Sequence, residues 1–309
     1  MGKIKVAAVG LGVWGINIVR VLKSLENDGL VSLEAVVDID ERRAREVAEK
    51  FSVRRYLTDV GQVPSLGIQA ATVAVPIDYL VGVGKELAVM GVHVFIEKPV
   101  SMSPEDIRSF IQVVRASNVV AQPGYIVRYD PAAKALREAI AKRDKPRYLI
   151  FKRLSRRPQH RRKFPIVYDL MVHDIDLALY LISPKSWNVL SVHASDIEEN
   201  VPQVVSAHLR VGSSHVLLIS DGVLPVKVRE AEAITRSAYI KASFTDRTIE
   251  VIEPEGRVRK KAYGEEPLRL ELIDFLRRIK GEKVLNAPTL DDALRVCEIA
   301  TAIHGKEFG

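Results

Sequence analysis

Apolar and polar positions follow two periods in turn over the first third of the chain. Residues 3–9 (KIKVAAV) make a short apolar run of strand length. A glycine-rich turn follows, and residues 13–25 carry apolar side chains at helical spacing. "LVSLEAVVD" predicts a second strand ending at Asp38, and "DERRAREVAEKF" a charged amphipathic helix capped by Asp40. "IQAATVAVP" reads as a strand closed by Pro76, and "DYLVGVGKELAVMG" as a helix stopped by Gly91. "VHVFIE" is the next strand, and "SPEDIRSFIQVVRASN" opens like a capping box, Ser103 with Asp106 in the Glu/Gln place. "VVAQPGYIV" is strand-like again. Strict βαβα alternation predicts a doubly wound parallel sheet with helices on both faces.

Beyond about residue 125 the pattern changes. A helix (130–142) and a strand (147–153) lead into a basic loop and then an apolar helix over 166–182. From 187 to 262 the chain is mostly strand. "VVSAHLRV-GSS-HVLLISDGV" predicts a hairpin, and further alternating strands follow it. Such runs imply a mostly antiparallel, open sheet with one face packed. Helices at 265–280 and 289–304 close the chain. The expected division is a parallel-sheet domain over 1–122 and an α+β domain over 123–309, with helix 289–304 a candidate to pack back on the first.

Composition narrows the class. With 309 residues and 47% apolar content, the chain can bury a large core. No apolar run reaches the length of a membrane span, and the N-terminal segment lacks a signal peptide's layout. The one cysteine, Cys297, excludes an internal disulfide framework and fits a reducing cytoplasm. Its apolar helical neighbours predict a packed core thiol. Few amides beside many charged residues suit a thermophile. The net charge of +7 is local: "KRLSRRPQHRRK" (152–163) carries seven Lys/Arg and no acid. A nucleic-acid partner is not expected there, since no aromatic residue interleaves the run to stack on bases. A solvated loop and a site for a phosphorylated small molecule remain.

Gly10, Gly12 and Gly15 stand in G-x-G-x-x-G spacing between the first strand and the first helix. The first permits a tight turn, the second lets backbone approach a pyrophosphate, and the third lets helix pack on strand. The helix N-terminus at Val13 and Trp14 then offers free N–H groups to phosphate. Asp38, with Ile39 rather than an arginine after it, suits the ribose hydroxyls of NAD and repels the 2′-phosphate of NADP. NAD is the expected cofactor, with NADP less favoured and Arg42 and Arg43 read as a solvated helix face. No metal site is expected.

Two further stretches carry candidate chemistry. Strand 92–97 ends on Glu97-Lys98-Pro99, which places a lysine at the carboxyl edge of the sheet, where such folds bind ligands. In "IVYDLMVHDIDLALYL", Asp169 and His173 sit four apart and share one face of a helix. Asp174 and Asp176 are expected to be cap or surface groups. Oxidising a secondary alcohol requires hydride transfer and removal of the hydroxyl proton by a base within about 2.6–3.2 Å. His173 starts near the required pKa, and Lys98 would approach it if desolvated. Lys98 could instead stay charged and stabilise a developing alkoxide. Either group can be the base on sequence grounds.

These motifs together resemble the Gfo/Idh/MocA family of NAD(P)-dependent oxidoreductases. The resemblance rests on GLGVWG at 10–15, VVDID at 36–40, AVP at 74–76, EKP at 97–99, GYIVRYDPA at 124–132 and DLMVHDID at 169–176. It implies a Rossmann domain joined to a substrate-binding and oligomerisation domain, with the chain assembling as a homodimer or homotetramer. It implies that Lys98, Asp169 and His173 form the catalytic set, and that Val75, Pro76, Glu97 and Lys98 contact cofactor. Tyr125 and Arg128 would line the cleft. Many relatives have a histidine four residues after the third strand's proline, where this chain has Leu80. The arginine-bearing stretch before the D-x-x-x-H helix is most similar to the branch of UDP-N-acetylglucosamine 3-dehydrogenases. That similarity implies a nucleotide-sugar substrate, with Arg157 and Arg161 meeting its diphosphate. Inositol or free-sugar dehydrogenases come next. Outside that class stand a non-catalytic NAD-sensing regulator and an NAD-dependent glycosidase with no net redox change.

Overall fold

The computed structural model describes residues 2–198 and 200–307. Their contacts divide the chain into two compact units. One comprises residues up to Tyr125 together with Leu268–Leu294, the other Ile126–Pro267 together with the residues from Arg295 on.

In the first unit the elements run β1 (Ile4–Val9), α1 (Val13–Asn27), β2 (Val31–Val37), α2 (Glu41–Phe51), β3 (Arg55–Leu57), β4 (Ala70–Val73), α3 (Ile77–Val89), β5 (His93–Glu97), α4 (Pro104–Ala116) and β6 (Ala121–Gly124). The six strands are all parallel, in the order β3-β2-β1-β4-β5-β6. Crossing back at β1 makes this a Rossmann-like sheet whose ligand edge lies beyond the carboxyl ends of β1 and β4. β4 is buried along its whole length, as a strand covered on both faces should be. The caps read from the sequence are in place: Asp40 accepts from the Arg43 backbone N–H at 3.1 Å, and Ser103 from that of Asp106 at 3.3 Å.

The second unit holds α5 (Pro131–Ala141), β7 (Tyr148–Leu154), α6 (Val172–Ile182), β8 (Trp187–Glu198), β9 (Val201–Val211), β10 (Ser214–Asp221), β11 (Val228–Ile234), β12 (Tyr239–Ser243), β13 (Thr248–Glu253) and β14 (Gly256–Lys261). Its eight-stranded sheet has the order β14-β13-β12-β11-β7-β10-β9-β8. Only the β7–β10 pair is parallel. Two helices follow, α7 (Pro267–Ile279) and α8 (Leu290–His304). Cys297 lies buried on α8, as its apolar neighbours predict.

Four features differ from the sequence reading. The edge strand β3 is not among the expected strands, its three residues being too short a run to show a period. The strand expected over 119–127 shortens to β6 and passes into a tight 3₁₀ turn at Ile126–Tyr129. The helix expected over 166–182 begins with a π-helical stretch, Val167–Met171, before becoming α-helical. The expected boundary at 122 does not contain α7, which belongs with the parallel sheet. There Gln122, fully buried on β6, donates to the Glu271 carbonyl at 3.1 Å, and Phe275 packs on Phe95 with ring centroids 5.9 Å apart. These partners lie 149 and 180 residues apart in sequence, so no local pattern announces them.

Candidate active site

The glycine turn is built by close approach. Gly10 has φ +84°, and a Cβ there would lie 2.6 Å from the Ala74 carbonyl. A Cβ on Gly15 would stand 1.8 Å from the Gly10 oxygen. Both positions therefore require glycine. At Gly12 a Cβ would meet nothing within 4 Å, so the backbone there faces open space. Gly12 caps α1 without a side-chain hydrogen bond and no acid stands in the first turn, so the amides at the helix N-terminus lack side-chain caps. An anion fits that position.

Asp38 closes the other side. Its carboxylate is buried, and its Oδ2 accepts from the Leu11 N–H of the turn at 2.8 Å, while Oδ1 accepts from the Asp40 N–H at 3.0 Å. Around it the same edge of the sheet exposes apolar groups that a folded chain would otherwise cover: Val13 (89% exposed), Trp14, Ile39 (93%) and Tyr79. These groups lie just past the carboxyl ends of β1, β2 and β4. Their clustering beside the open turn fits a dinucleotide with flat apolar rings at its ends. Val75 is half-buried and Pro76 exposed as α3 begins, so both lie on this edge. Leu80, by contrast, is buried in the core, so the familial histidine has no counterpart at the surface here.

The strand end at Glu97-Lys98-Pro99 is tied to the turn. The Trp14 indole donates to Glu97 Oε1 at 2.5 Å, and Glu97 Oε2 accepts from the Lys98 backbone N–H at 3.2 Å. Gly124, opposite Glu97 in the β5–β6 ladder, leaves room for that carboxylate, since a Cβ would sit 3.0 Å from Oε1. Burial pushes Glu97 up to about 7, with Trp14 and Lys98 pulling the other way. Lys98 is half-buried at the end of β5, and its bond to Pro99 is cis.

In the second unit, Asp169 lies in the π-helical stretch and His173 in the first turn of α6. The wider π turn changes the plain four-residue spacing on which a shared helical face depends, and such turns recur at functional sites. Asp169 is buried and held by arginines: Arg161 donates to Oδ1 at 2.9 Å, and Arg157 Nη1 stands 3.6 Å from Oδ2. His173 is half-buried beside it in sequence.

The basic loop is less bare than its composition suggests. Of its seven cations, Lys152, Arg153, Arg157, Arg161 and Arg162 each have a carboxylate partner, from Glu232, Asp174, Asp169, Asp169 and Glu198. Arg157 is 3% exposed and also donates to the Phe164 carbonyl and to Gln203 Oε1, both at 2.7 Å. Burial pulls its guanidinium pKa down, with Asp169 opposing. Arg157 therefore braces the loop over Asp169. Arg156, which the sequence reading passed over, is exposed, and with Arg157, Pro158, Gln159 and Arg162 it lines a cavity of about 500 Å³.

Two aspartates are corrected outright. Asp174 and Asp176, expected at the surface or as caps, are buried. Asp174 pairs with Arg153 at 2.6 Å and Asp176 with Arg128 at 2.5 Å. Arg128, expected to line a cleft, has its guanidinium on both Asp176 oxygens and lies 4.9 Å from the Tyr180 ring. Tyr125 is buried as well. Strand β7 and the segment after β6 supply these arginines, so the pairs join α6 to its neighbours and could not be seen from the helix alone. Among the described residues, no cluster of three His, Cys, Asp or Glu side chains could hold a metal ion, and no helix is long and apolar enough to cross a membrane.

Comparison with known proteins agrees with this layout. Residues 4–125 match the model of an oxidoreductase family with an NAD-binding Rossmann fold, Gfo/Idh/MocA. The UDP-N-acetylglucosamine 3-dehydrogenase of Acidithiobacillus ferrooxidans is 25% identical over 80% of this chain and 76% of its own length. A solved structure of that enzyme superposes with a TM-score of 0.90 at 22% identity, covering 99% of this chain and 98% of its own. The myo-inositol 2-dehydrogenase of Thermotoga maritima is 24% identical over 82% of this chain and 74% of its own. An oxidoreductase from Agrobacterium radiobacter, solved with NAD+, L-tartaric acid and magnesium, shares the fold with a TM-score of 0.88 at 15% identity, over 98% and 96% of the two chains. With a glycine turn, an open helix N-terminus and the buried Asp38 carboxylate in the matched segment, residues 4–125 form an NAD-binding Rossmann domain of the Gfo/Idh/MocA oxidoreductase family, and the cofactor is NAD.

Proposed function

We propose that this chain is a dehydrogenase oxidising a secondary hydroxyl of a sugar carried on a nucleoside diphosphate, with UDP-N-acetylglucosamine oxidised at its 3-position as the leading substrate. The observation that carries this reading is the arginine-lined cavity of about 500 Å³, joined through Arg157 to Asp169. Arginine forks suit the paired oxygens of a diphosphate, and Arg156 is exposed to meet them. The Acidithiobacillus enzyme, matched over most of this chain, is named for the same substrate.

Bound NAD supplies the hydride acceptor. Lys98 and His173 are assigned to the reacting hydroxyl: one takes its proton from within about 2.6–3.2 Å, and the other holds the oxygen. Imidazole is suited to the first task near neutral pH, and a charged ammonium to the second. Asp169, fixed by Arg161 and Arg157, orients the sugar or the imidazole. The reading also includes a homodimer or homotetramer in a reducing cytoplasm. Its support is the sheet face carrying Tyr148, Ile150, Leu217 and Ile219, adjacent in the β7–β10 ladder and only partly covered. Sedimentation at micromolar concentration checks it.

A panel of UDP-sugars, free sugars and inositols, followed by absorbance of the reduced cofactor, decides the substrate. Turnover of UDP-N-acetylglucosamine well above that of glucose and myo-inositol is expected. Turnover of myo-inositol alone would favour the second reading, an inositol dehydrogenase, for which the Thermotoga match over a similar span speaks.

A further inference from the structure

Asp38 is not alone where the adenosine ribose is recognised. Arg43, in the first turn of α2, folds back so that its Nη1 stands 3.0 Å from Asp38 Oδ1 and 3.2 Å from Oδ2. Its Nη2 lies 3.2 Å from Asp40 Oδ2. Asp38 is nearly covered, whereas the Arg43 side chain is about half exposed. The carboxylate already accepts the Leu11 and Asp40 amides. A carboxylate offers about four acceptor positions, so these donors leave it little spare capacity, and the guanidinium offsets its charge.

We infer that Arg43 is a specificity-determining residue of the cofactor site. Any group hydrogen-bonded to Asp38 lies beside Arg43. A hydroxyl at that place uses Asp38, whereas a 2′-phosphate would draw Arg43 off the carboxylate, and the planar guanidinium fork matches phosphate oxygens. Arg43 is exposed enough to turn. The chain therefore discriminates against NADP less sharply than Asp38 alone would dictate, and Asp38 masks a phosphate ligand already in place. The inference rests on the dinucleotide site and not on the sugar.

Calorimetric titration of the full chain with NAD, and with NADP directly or by displacing NAD, tests it without any turnover. The quantity read is the ratio of the NADP and NAD dissociation constants. Asp38→Ser is expected to lower this ratio, and adding Arg43→Ala in that background to raise it again by about tenfold, the scale of one charge-assisted contact. NADP affinity in Asp38→Ser should also fall with salt more steeply than NAD affinity. A change of less than threefold between Asp38→Ser and the double variant overturns the inference, as does equal weakening toward both cofactors, the result if Arg43 merely braced the turn. Should Asp38→Ser bind neither cofactor because Leu11 has lost its acceptor, Arg43→Ala in the wild-type background decides by the same threshold.

Discussion

At the glycine turn, several interacting residues are close in sequence or follow a fixed motif spacing, with Ala74 against Gly10 and Glu97 on Trp14 added from other strands. At the arginine loop most partners are distant, Arg161 on Asp169 being the near one. Leu11 and Asp38 are 27 positions apart, the distance one βαβ unit imposes, and Gly15 meets Gly10 within five. Arg153, Arg162, Arg157 and Lys152 instead find partners 21, 36, 46 and 80 positions away, on α6 and on strands β8, β9 and β11. The first region is specified by steric rules that act locally, such as a positive φ or a missing Cβ. The second is specified by which strand the sheet sets beside which. A run of cations can thus read as a bare surface and fold as a braced one.

The largest effects are expected at the buried ion pairs. Asp176→Ala leaves the Arg128 guanidinium buried without its carboxylate, and should cost about 3–5 kcal/mol in urea unfolding. Asp40→Ala, which removes the cap of α2 and a half-exposed ion pair with Arg43, both local, should cost about 1–2 kcal/mol. Equal costs would erase the distinction between long-range and local specification.

Catalysis probes both regions at once. Lys98→Met and His173→Ala should each lower turnover at least about 100-fold if the two groups share the reacting hydroxyl. A variant that keeps both rate and pH profile removes its residue from the set.

Within the turn, two glycines separate fold from binding. Gly15→Ala forces a Cβ into the Gly10 carbonyl and should lower the melting temperature. Gly12→Ala meets nothing, so stability should stay within about 0.5 kcal/mol while NAD binding weakens. Loss of stability in both would show that Gly12 serves packing as well.

The smallest effect is a slope. Glu97 titrates near 7 in the folded chain, above its unfolded value, so between those two values the folded state holds a proton that the unfolded state has released. Stability should therefore decline as pH rises toward 7 and level off above it. Glu97→Gln, which keeps an acceptor for Trp14, should lack that decline in melting scans from pH 5 to 8. An unchanged profile would place the titration elsewhere.

Periodicity and punctuation alone determined the βα alternation to Gly124 apart from the short edge strand β3, together with the glycine turn, Asp38 at its strand end, and the caps at Asp40 and Ser103. These follow from backbone sterics and hydrogen-bond satisfaction over a few residues, which any local window contains. Tertiary structure decided the rest. It returned α7 to the first unit, buried Asp174 and Asp176 against Arg153 and Arg128, held Asp169 between Arg157 and Arg161, and folded Arg43 onto Asp38. A charged side chain shows its sign in the sequence but not its partner. Whether it is solvated or buried depends on which opposite charge the sheets and helices bring within about 4 Å.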